Sequence, residues 1–426
     1  MYSESRQRLT VSGTNSRANH FEIGRSWDKN EGDAGMSNSD LNEVNHSVLR
    51  RQHLTEDSRI DDVVKIVSDI GGLHATATAV PYLSLFARTR NFNRIRLDEE
   101  LYHKRTLGKI RCMRKTLFII TREMIPITYA ATKGNVEKYS EKFLQSRGIS
   151  SLEYQKISKQ IIKTLRHKEM STSEIRKTLK TNLNISEIVN LMCDRGSLIR
   201  TKPVKGWKDR RHRYSVFGEF FPEVKLSEIG EDEARASLVK QYLASFGPAT
   251  ERDISWWIGE GITKIRESLD NIRDQTTEVG ISGIKGNFII LSSEGNLLRN
   301  SELSDIPTIN LLPVSDPYPM GYKERKRYLD HKHFDNVFDR SGNATSTIVL
   351  NGRVVGIWDI IEGKDPLIKL FFFEDVEETI LSIIHAEAKR IGRFISDREV
   401  KIKECEDMIP LTKRTAGAFM TPLRDS

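Results

Sequence analysis

One pattern recurs three times along the chain: short helical segments separated by turn residues, followed by a pair of short strands. Turn and capping residues mark where the helices stop or start, as at Gly71-Gly72, Ser171 and Thr250. Three helix-rich units that each end in a hairpin are built most economically as winged helices in tandem. The repeated pattern therefore predicts an α+β fold with three tandem winged-helix units.

Apolar periodicity and capping signals locate the segments of these units. In the first unit, the apolar stripe of residues 63–70 ends at the glycine pair. In the second, Ser171 and Glu174 form a capping box, and Asn184 with Glu187 starts the next helix. The predicted hairpins pair residues 110–113 with 117–120, 198–201 with 213–217, and 279–281 with 288–291.

The pattern changes after the third unit. Residues 306–373 are strand-like, with Asn351-Gly352 as a tight hairpin turn, which predicts a small barrel or sandwich. Residues 376–395 carry one apolar face, typical of an amphipathic helix. The predicted domains are a disordered tail (1–44), winged helices over 45–130, 150–222 and 233–295, a small β-barrel-like domain (306–374), a C-terminal helix (375–396) and a tail (397–426).

Positive charge is concentrated in the second unit. Residues 155–214 hold 16 Lys or Arg against 5 Asp or Glu, a net charge of +11, whereas the whole chain is +8. A nucleic-acid backbone is the partner that such a local excess favours, although a solvated lysine-rich surface is the alternative. We expect double-stranded DNA as the partner.

Several classes of protein are excluded by the residues. Cys112, Cys193 and Cys405 are widely spaced, which argues against a cysteine zinc finger and fits a reduced compartment. Gly-rich phosphate-binding and dinucleotide motifs are absent, so we predict no cofactor. The sequence has no apolar run of membrane-spanning length and no signal-peptide core. We expect a cytoplasmic, nucleoid-associated monomer without membrane contact.

His331 and His333 are the one pair with a spacing that suggests a metal. On a strand, both imidazoles would lie on one face, but no third ligand is anchored nearby. A solvated loop or helix is the preferred interpretation, and we predict no metal site.

Several motifs in a fixed order resemble a known family. They are Gly71-Gly72-Leu73-His74-Ala75-Thr76, Tyr82-Leu83-Ser84-Leu85-Phe86-Ala87-Arg88, Met113-Arg114-Lys115-Thr116-Leu117-Phe118, residues 244–258, Leu311-Leu312-Pro313 through Asp316-Pro317-Tyr318 with Gly321-Tyr322 to Arg325, and Gly352-Arg353-Val354-Val355-Gly356 with Trp358. Over roughly residues 45–395, the chain resembles the bacterial tandem winged-helix DNA-binding family that includes interstrand-crosslink and alkylpurine DNA glycosylases.

The resemblance implies a monofunctional glycosylase that removes alkylated or crosslinked purines by water attack at the sugar. In characterised members, a Gln, aliphatic, Gln tripeptide is catalytic, and the matching positions are His74, Ala75 and Thr76. Both glutamines are replaced. His74 would accept a hydrogen bond from the water, as a better base near neutral pH than glutamine, and the Thr76 hydroxyl would make the second contact. Alternatively, His74 caps a helix end or bonds a backbone carbonyl, and Thr76 is an N-cap.

Other candidate residues surround this motif. Asp316 is the strongest carboxylate candidate for catalysis, with turn capping before Pro317 as the alternative. Arg88 and Arg114 flank the proposed centre and would hold the DNA backbone, with surface ion pairs as the alternative.

The loop of the second hairpin carries the basic side chains expected to contact phosphates. They are Lys202, Lys205, Lys208, Arg210, Arg211 and Arg213. Trp207 lies among them and would stack on an unpaired base or wedge a base step; packing on its own hairpin is the alternative.

Two further functions fit the same residues. A non-catalytic DNA-binding protein or transcriptional regulator would keep the scaffold while lacking the glutamines. RNA binding is the third hypothesis, because wings and basic hairpins do not by themselves select the sugar.

Overall fold

The computed structural model describes residues 38–295 and 306–413. Within these ranges the fold consists of four small sheets and the helices between them. Most of the predicted N-terminal tail and the last part of the C-terminal tail, residues 414–426, lie outside these ranges. None of the helices within them is long and apolar enough to cross a membrane.

The sheet of the first unit consists of a hairpin and a two-residue edge strand that pairs with it. Its elements are β1 (Asn38–Ser39), α1 (Leu41–Arg51), α2 (Val63–Asp69), β2 (Leu73–His74), α3 (Val80–Arg88), α4 (Arg94–Asp98), β3 (Leu107–Arg111) and β4 (Leu117–Thr121). The three strands β2, β4 and β3 pair antiparallel in that order. Helix α1 starts at the Asp40 N-cap, so the predicted tail boundary at residue 44 is wrong.

The second unit begins with a long helix that the sequence analysis left unassigned. Its elements are α5 (Met124–Ser146), α6 (Ser151–Leu165), β5 (Met170–Ser171), α7 (Thr172–Thr178), α8 (Ser186–Asp194), β6 (Leu198–Pro203), β7 (His212–Val216) and α9 (Phe217–Phe220). The capping box of Ser171 and Glu174 is confirmed. The strand order is β5, β7, β6.

The third unit shares its sheet with the start of the described chain. Its elements are α10 (Glu231–Phe246), α11 (Glu251–Ile258), α12 (Ile262–Asp270), β8 (Thr276–Ile281) and β9 (Ile284–Leu291). The predicted Thr250 cap of α11 is confirmed, and Asp253 completes a capping box. Strand β1 adds parallel to β8, so the segment before α1 is part of this sheet.

The last part of the chain forms a five-stranded sheet under one helix. Its elements are β10 (Ile309–Leu312), α13 (Phe334–Val337), β11 (Thr347–Leu350), β12 (Arg353–Ile361), β13 (Leu367–Phe372), α14 (Glu378–Ser396) and β14 (Lys401–Glu404). The strands follow chain order across the sheet, with β14 parallel to β13. The predicted tail from residue 397 is therefore wrong for residues 401–404, which form an edge strand.

One hydrophobic cluster joins the units into a single body. Leu49 and Phe118 of the first unit, Trp257 of the third, and Tyr322 and Ile357 of the last part all belong to it. Most of the second unit packs around a separate cluster. The first and third units and the sheet are therefore held by shared burial. Phe118 of β4, the strand partner of His74, is part of this cluster, which links β2 to it.

Gly72, two residues before His74, lies where the backbone leading into β2 packs closely against β4, and a substitution there tests that packing. Its φ is +104°, and an added Cβ would lie 2.9 Å from Ile120 Cγ2 and 3.0 Å from the Ile119 carbonyl oxygen. We predict that Gly72→Ala lowers the free energy of unfolding by about 1–2 kcal/mol in urea titrations. The control is Gly134→Ala inside α5, where a Cβ meets nothing within 4 Å and should stabilise by about 0.5–1 kcal/mol. Equal midpoints for the two variants would contradict the prediction.

Candidate active site

The tripeptide of residues 74–76 begins on the edge strand of the first sheet and leaves it after His74. His74 pairs with Phe118 of β4, and the Ala75 amide donates to the Leu117 carbonyl oxygen at 2.8 Å, which extends the ladder by one residue. Thr76 lies in the bend between β2 and α3. His74 is 5% exposed and Ala75 is buried, whereas Thr76 is exposed. The motif thus passes from the interior to the surface.

The environment of His74 keeps its imidazole neutral. The ring lies 4.2 Å from the ring of Phe118, between centroids. Burial, aided by the positive charge of Arg114, lowers the pKa of His74 from 6.5 to about 3. The expectation that His74 is a good base near neutral pH is therefore wrong, because its conjugate acid is too strong. A neutral imidazole can still accept one hydrogen bond and so orient a water molecule.

Asp316 and Arg88 form a buried ion pair with each other. Arg88 Nη1 and Nη2 donate to the two Asp316 carboxylate oxygens at 2.8 and 2.7 Å, and both side chains are 0% exposed. Ser84 and the Tyr318 amide donate to the same carboxylate. The predicted catalytic role of Asp316 and the predicted DNA contact of Arg88 are both corrected here, because neither group is accessible. The pair instead ties α3 to the segment after β10.

Arg114 lies in the turn between β3 and β4, on the side of the sheet near His74. Its φ is +52°, and its guanidinium stacks on the ring of Trp256, 4.0 Å from the centroid. Burial and the nearby Arg325 lower the pKa of Arg114 to about 10, so it stays charged at neutral pH. Arg114 is therefore a cation held close to the tripeptide.

The basic residues of the second hairpin divide into two groups. Lys202, Lys205 and Arg210 are exposed, with side chains available to a phosphate. The others make ion pairs within the protein: Lys208 with Glu362, Arg211 with Asp209, and Arg213 with Glu174. Such exposed pairs are weak, but they reduce the free charge that the sequence suggested.

Trp207 packs against other parts of the protein. Its ring lies 5.4 Å from Tyr82 and 5.9 Å from Phe394, and the guanidinium of Arg94 lies 4.5 Å from its centroid. Neither base stacking nor packing on its own hairpin fits these contacts, so both predictions for Trp207 are corrected. Together with Lys208, Trp207 fastens the hairpin loop to the first unit and to α14.

A small cleft, with room for about one water molecule, lies beneath this loop and beside the tripeptide. Its lining includes Ala75, Thr78, Lys109 and His212. Burial lowers the pKa of Lys109 to about 7, and its amine donates to the Tyr102 hydroxyl and the Thr201 carbonyl oxygen. Sequence reasoning missed Lys109. The available signal was a charged residue at an inward position, two residues after the apolar Leu107 on the same strand.

His331 and His333 form a short helical turn before α13. The ring of His333 stacks on Phe373 with centroids 4.2 Å apart, and the ring of His331 lies 4.9 Å from that of Phe334. The two imidazoles thus contact different aromatic partners.

The chain has the fold of a DNA glycosylase. The solved structure of DNA glycosylase AlkZ from Streptomyces sahachiroi superimposes with a TM-score of 0.70, covering 86% of this chain and 100% of that one at 20% identity. The family model described as DNA glycosylase AlkZ-like matches residues 67–394, and the chain belongs to that family. The resemblance inferred from the motifs is thereby confirmed.

A relative of known function matches part of the chain. The interstrand DNA cross-link repair glycosylase of Streptomyces sahachiroi is 28% identical over 166 residues. The match spans 38% of this chain and 43% of that relative, less than half of either.

The buried ion pair yields a stability prediction. Arg88→Met leaves the Asp316 carboxylate buried without its partner, which should lower the free energy of unfolding by about 3–5 kcal/mol in denaturant titrations. Arg266→Met is the matched control, because the Arg266 to Glu251 pair is exposed and should contribute no more than about 1 kcal/mol. Similar losses in the two variants would contradict the buried role of Arg88.

The pKa of His74 predicts how stability depends on pH. An unfolded histidine takes up its proton near pH 6.5, but folded His74 does so only near pH 3. The unfolded state therefore binds more protons between these values, and the free energy of unfolding falls as the pH falls through this window. His74→Gln should make that decline shallower in urea titrations between pH 7 and 4. The exposed His103→Gln serves as control, and an unchanged slope in His74→Gln would refute the prediction.

Proposed function

We propose that the chain is a monofunctional DNA glycosylase that releases alkylated or crosslinked purines from double-stranded DNA. The observation that carries the proposal is the family match over residues 67–394, a range that includes the tripeptide of residues 74–76. The cross-link repair activity named for the Streptomyces sahachiroi relative supports this substrate class. We also propose that the three helix-and-hairpin units are winged helices and that the five-stranded sheet is the small β domain.

The reaction needs little from the protein beyond positioning. The water oxygen bonds to the sugar C1′ as the bond from C1′ to the purine nitrogen breaks, and the electrons of that bond neutralise the cationic alkylated base. The proton lost by the water passes to solvent. A cationic leaving group requires no strong general acid, so weakly basic groups that hold the water are sufficient.

His74 and Thr76 suit this role as replacements for the two glutamines of the family. Neutral His74, like a glutamine side chain, offers an uncharged hydrogen-bond acceptor, and its pKa of about 3 keeps it uncharged at any physiological pH. Thr76 adds a hydroxyl two residues further along the chain, at the surface just after β2 ends. The replacement therefore preserves the uncharged, water-orienting character of the motif.

The DNA-binding surface is supported by free positive charge on the second unit. The exposed face of α6 presents Lys156, Lys159 and Lys163, and the hairpin loop adds exposed Lys202, Lys205 and Arg210. These side chains are able to hold phosphates without reading sequence.

The position of α8 argues against the regulator hypothesis. The third helix of a helix-turn-helix unit usually enters the major groove. Here α8 is packed on α5: Asp194 pairs with Arg111 at 2.8 Å and accepts from Ser140 of α5, and Arg195 pairs with Glu141. These contacts fix the C-terminal end of α8 against α5 and β3, and none of residues Ser186–Asp194 is fully exposed, which favours a structural role for α8 over base reading.

Base release from alkylated duplex DNA tests the proposal. We predict that the wild-type protein releases alkylpurines and that His74→Ala lowers the single-turnover rate by about hundredfold or more. His74→Gln restores the glutamine of the family and should retain most of the activity. Arg398→Gln, an exposed residue, controls for handling of the variants.

Two outcomes would contradict the proposal. If neither the wild type nor a His74→Gln, Thr76→Gln double variant releases bases while both bind DNA, the chain is a non-catalytic binding protein. If release occurs but His74→Ala leaves its rate unchanged, the catalytic assignment of the tripeptide is wrong.

A further inference from the structure

Two arginines from distant parts of the sequence meet beside the proposed catalytic strand. Arg114 lies in the β3 to β4 turn and Arg325 in the segment between β10 and α13. Trp256 of α11 lies between them: its ring centroid is 4.0 Å from the Arg114 guanidinium carbon and 5.6 Å from that of Arg325. Arg325 also lies over the ring of Phe338, with its guanidinium carbon 3.4 Å from the centroid. These cation–π contacts offset part of the repulsion between the two like charges, and a bound anion would offset more of it.

The hydrogen bonds of these guanidiniums are incomplete. Arg114 Nη2 has only long contacts, 3.4 Å to the Ser341 carbonyl oxygen and 3.5 Å to Asn343 Oδ1, and its buried Nη1 has no partner among the described residues. Arg325 Nη2 donates to the Gly342 carbonyl oxygen at 3.0 Å, and its Nε is also without a hydrogen bond there. Buried donors are normally satisfied, so an acceptor is missing from this cluster.

The acid that acts electrostatically on both arginines, Asp339, does not fill this gap. Asp339 contributes to the electrostatics of Arg114, but its carboxylate oxygens accept from Asn343 and the Ser341 amide at 2.8 to 3.0 Å. No salt bridge to Arg114 or Arg325 is found within residues 38–295 and 306–413. Arg325 itself is only 9% exposed, while Arg114 is partly exposed and provides access.

We propose that Arg114 and Arg325 form an anion subsite for one phosphodiester group of the DNA strand, next to the nucleotide held at His74. This inference rests on the proposed function. The planar forks of two guanidiniums match phosphate oxygens and would supply the acceptor that Arg114 Nη1 lacks. Stacking on Trp256 holds the Arg114 fork in place before DNA binds.

The subsite lies beside His74, where a bound phosphate would influence the position of the reacting nucleotide. The ring of Phe118 lies 4.2 Å from that of His74 and 6.3 Å from that of Trp257, which follows Trp256 in α11. The arginine cluster is therefore close to His74, and the positive charge of Arg114 helps to lower the pKa of that histidine. A phosphate fixed there would place the adjacent sugar in a set position relative to the water held by His74 and Thr76. Arg114 and Arg325 are therefore positioning residues that act on the strand and not on the leaving base.

A methylphosphonate scan tests the subsite directly. A duplex with an uncleavable abasic analogue carries one uncharged methylphosphonate at successive positions around the lesion, and its affinity is measured by fluorescence anisotropy at several salt concentrations. We expect one position where the neutral group weakens wild-type binding by about tenfold. Arg114→Gln should weaken binding to the unmodified duplex similarly, lower the salt slope by about one contact, and show no further loss at that position.

The controls separate this site from general charge effects and from misfolding. Arg398→Gln removes the same charge elsewhere and should keep the full methylphosphonate effect. Because Arg325 is almost completely buried, the binding data for Arg325→Gln are used only if this variant unfolds at the same temperature as the wild type. The comparison of the wild type with Arg114→Gln tests the subsite without the Arg325→Gln variant. Arg114→Lys keeps the charge but loses the fork, and should restore only part of the affinity.

The outcomes distinguish this proposal from the glycosylase proposal. If no position has the effect, or if Arg114→Gln still loses affinity there, the subsite is wrong even when the wild type releases bases. If the coupling is found but no base is released, the subsite stands and the glycosylase proposal fails. Thermal stabilisation by inorganic phosphate without any methylphosphonate effect would assign the site to a free anion and overturn the strand proposal.

Discussion

The buried ion pair of Arg88 and Asp316 is the interaction on which the arrangement of the units depends. It joins residues 228 positions apart in the chain, the end of α3 and the segment after β10, with two hydrogen bonds in a water-free environment. Because separating buried charges is costly, α3 cannot shift without breaking both bonds. Helix α3 follows the tripeptide closely in sequence, so the same interaction limits how far His74 and Thr76 can move.

Burial also decides the chemistry available at this strand. A histidine at the surface would titrate near neutral pH, but the contact with Phe118 and the nearby Arg114 keep His74 uncharged. At neutral pH, the side chain of His74 therefore behaves more like an uncharged amide than like an acid–base catalyst. A family motif with both glutamines replaced can thus retain its polarity, because the surroundings of the side chain set its charge as much as its identity does.

Local signals made much of the fold predictable. The capping boxes at Ser171 and Thr250 and the Asn351-Gly352 turn act over a few residues, and the elements around them were found. Helix α5 was missed because its apolar side chains follow no clear face. Strand β14 was missed because its parallel pairing with β13 depends on distant residues. The catalytic role of the tripeptide stays a prediction from the motif resemblance. The pairing of Arg88 with Asp316, the packing of Trp207 and the buried Lys109 are tertiary contacts that no local pattern encodes.

The loop of the second hairpin has a consequence for the thermodynamics of association. Trp207, wedged among Tyr82, Phe394 and Arg94, and Lys208, bound to Glu362, hold the loop in place in the free protein. Mobile basic loops lose conformational entropy when they become ordered on a duplex, and that loss weakens binding. Lys202, Lys205 and Arg210 project from a backbone that is already ordered. On the proposed DNA-binding surface, their contribution to affinity would be preorganised during folding. A change at Trp207 would then weaken DNA binding by loosening the loop, without removing any of these three charges.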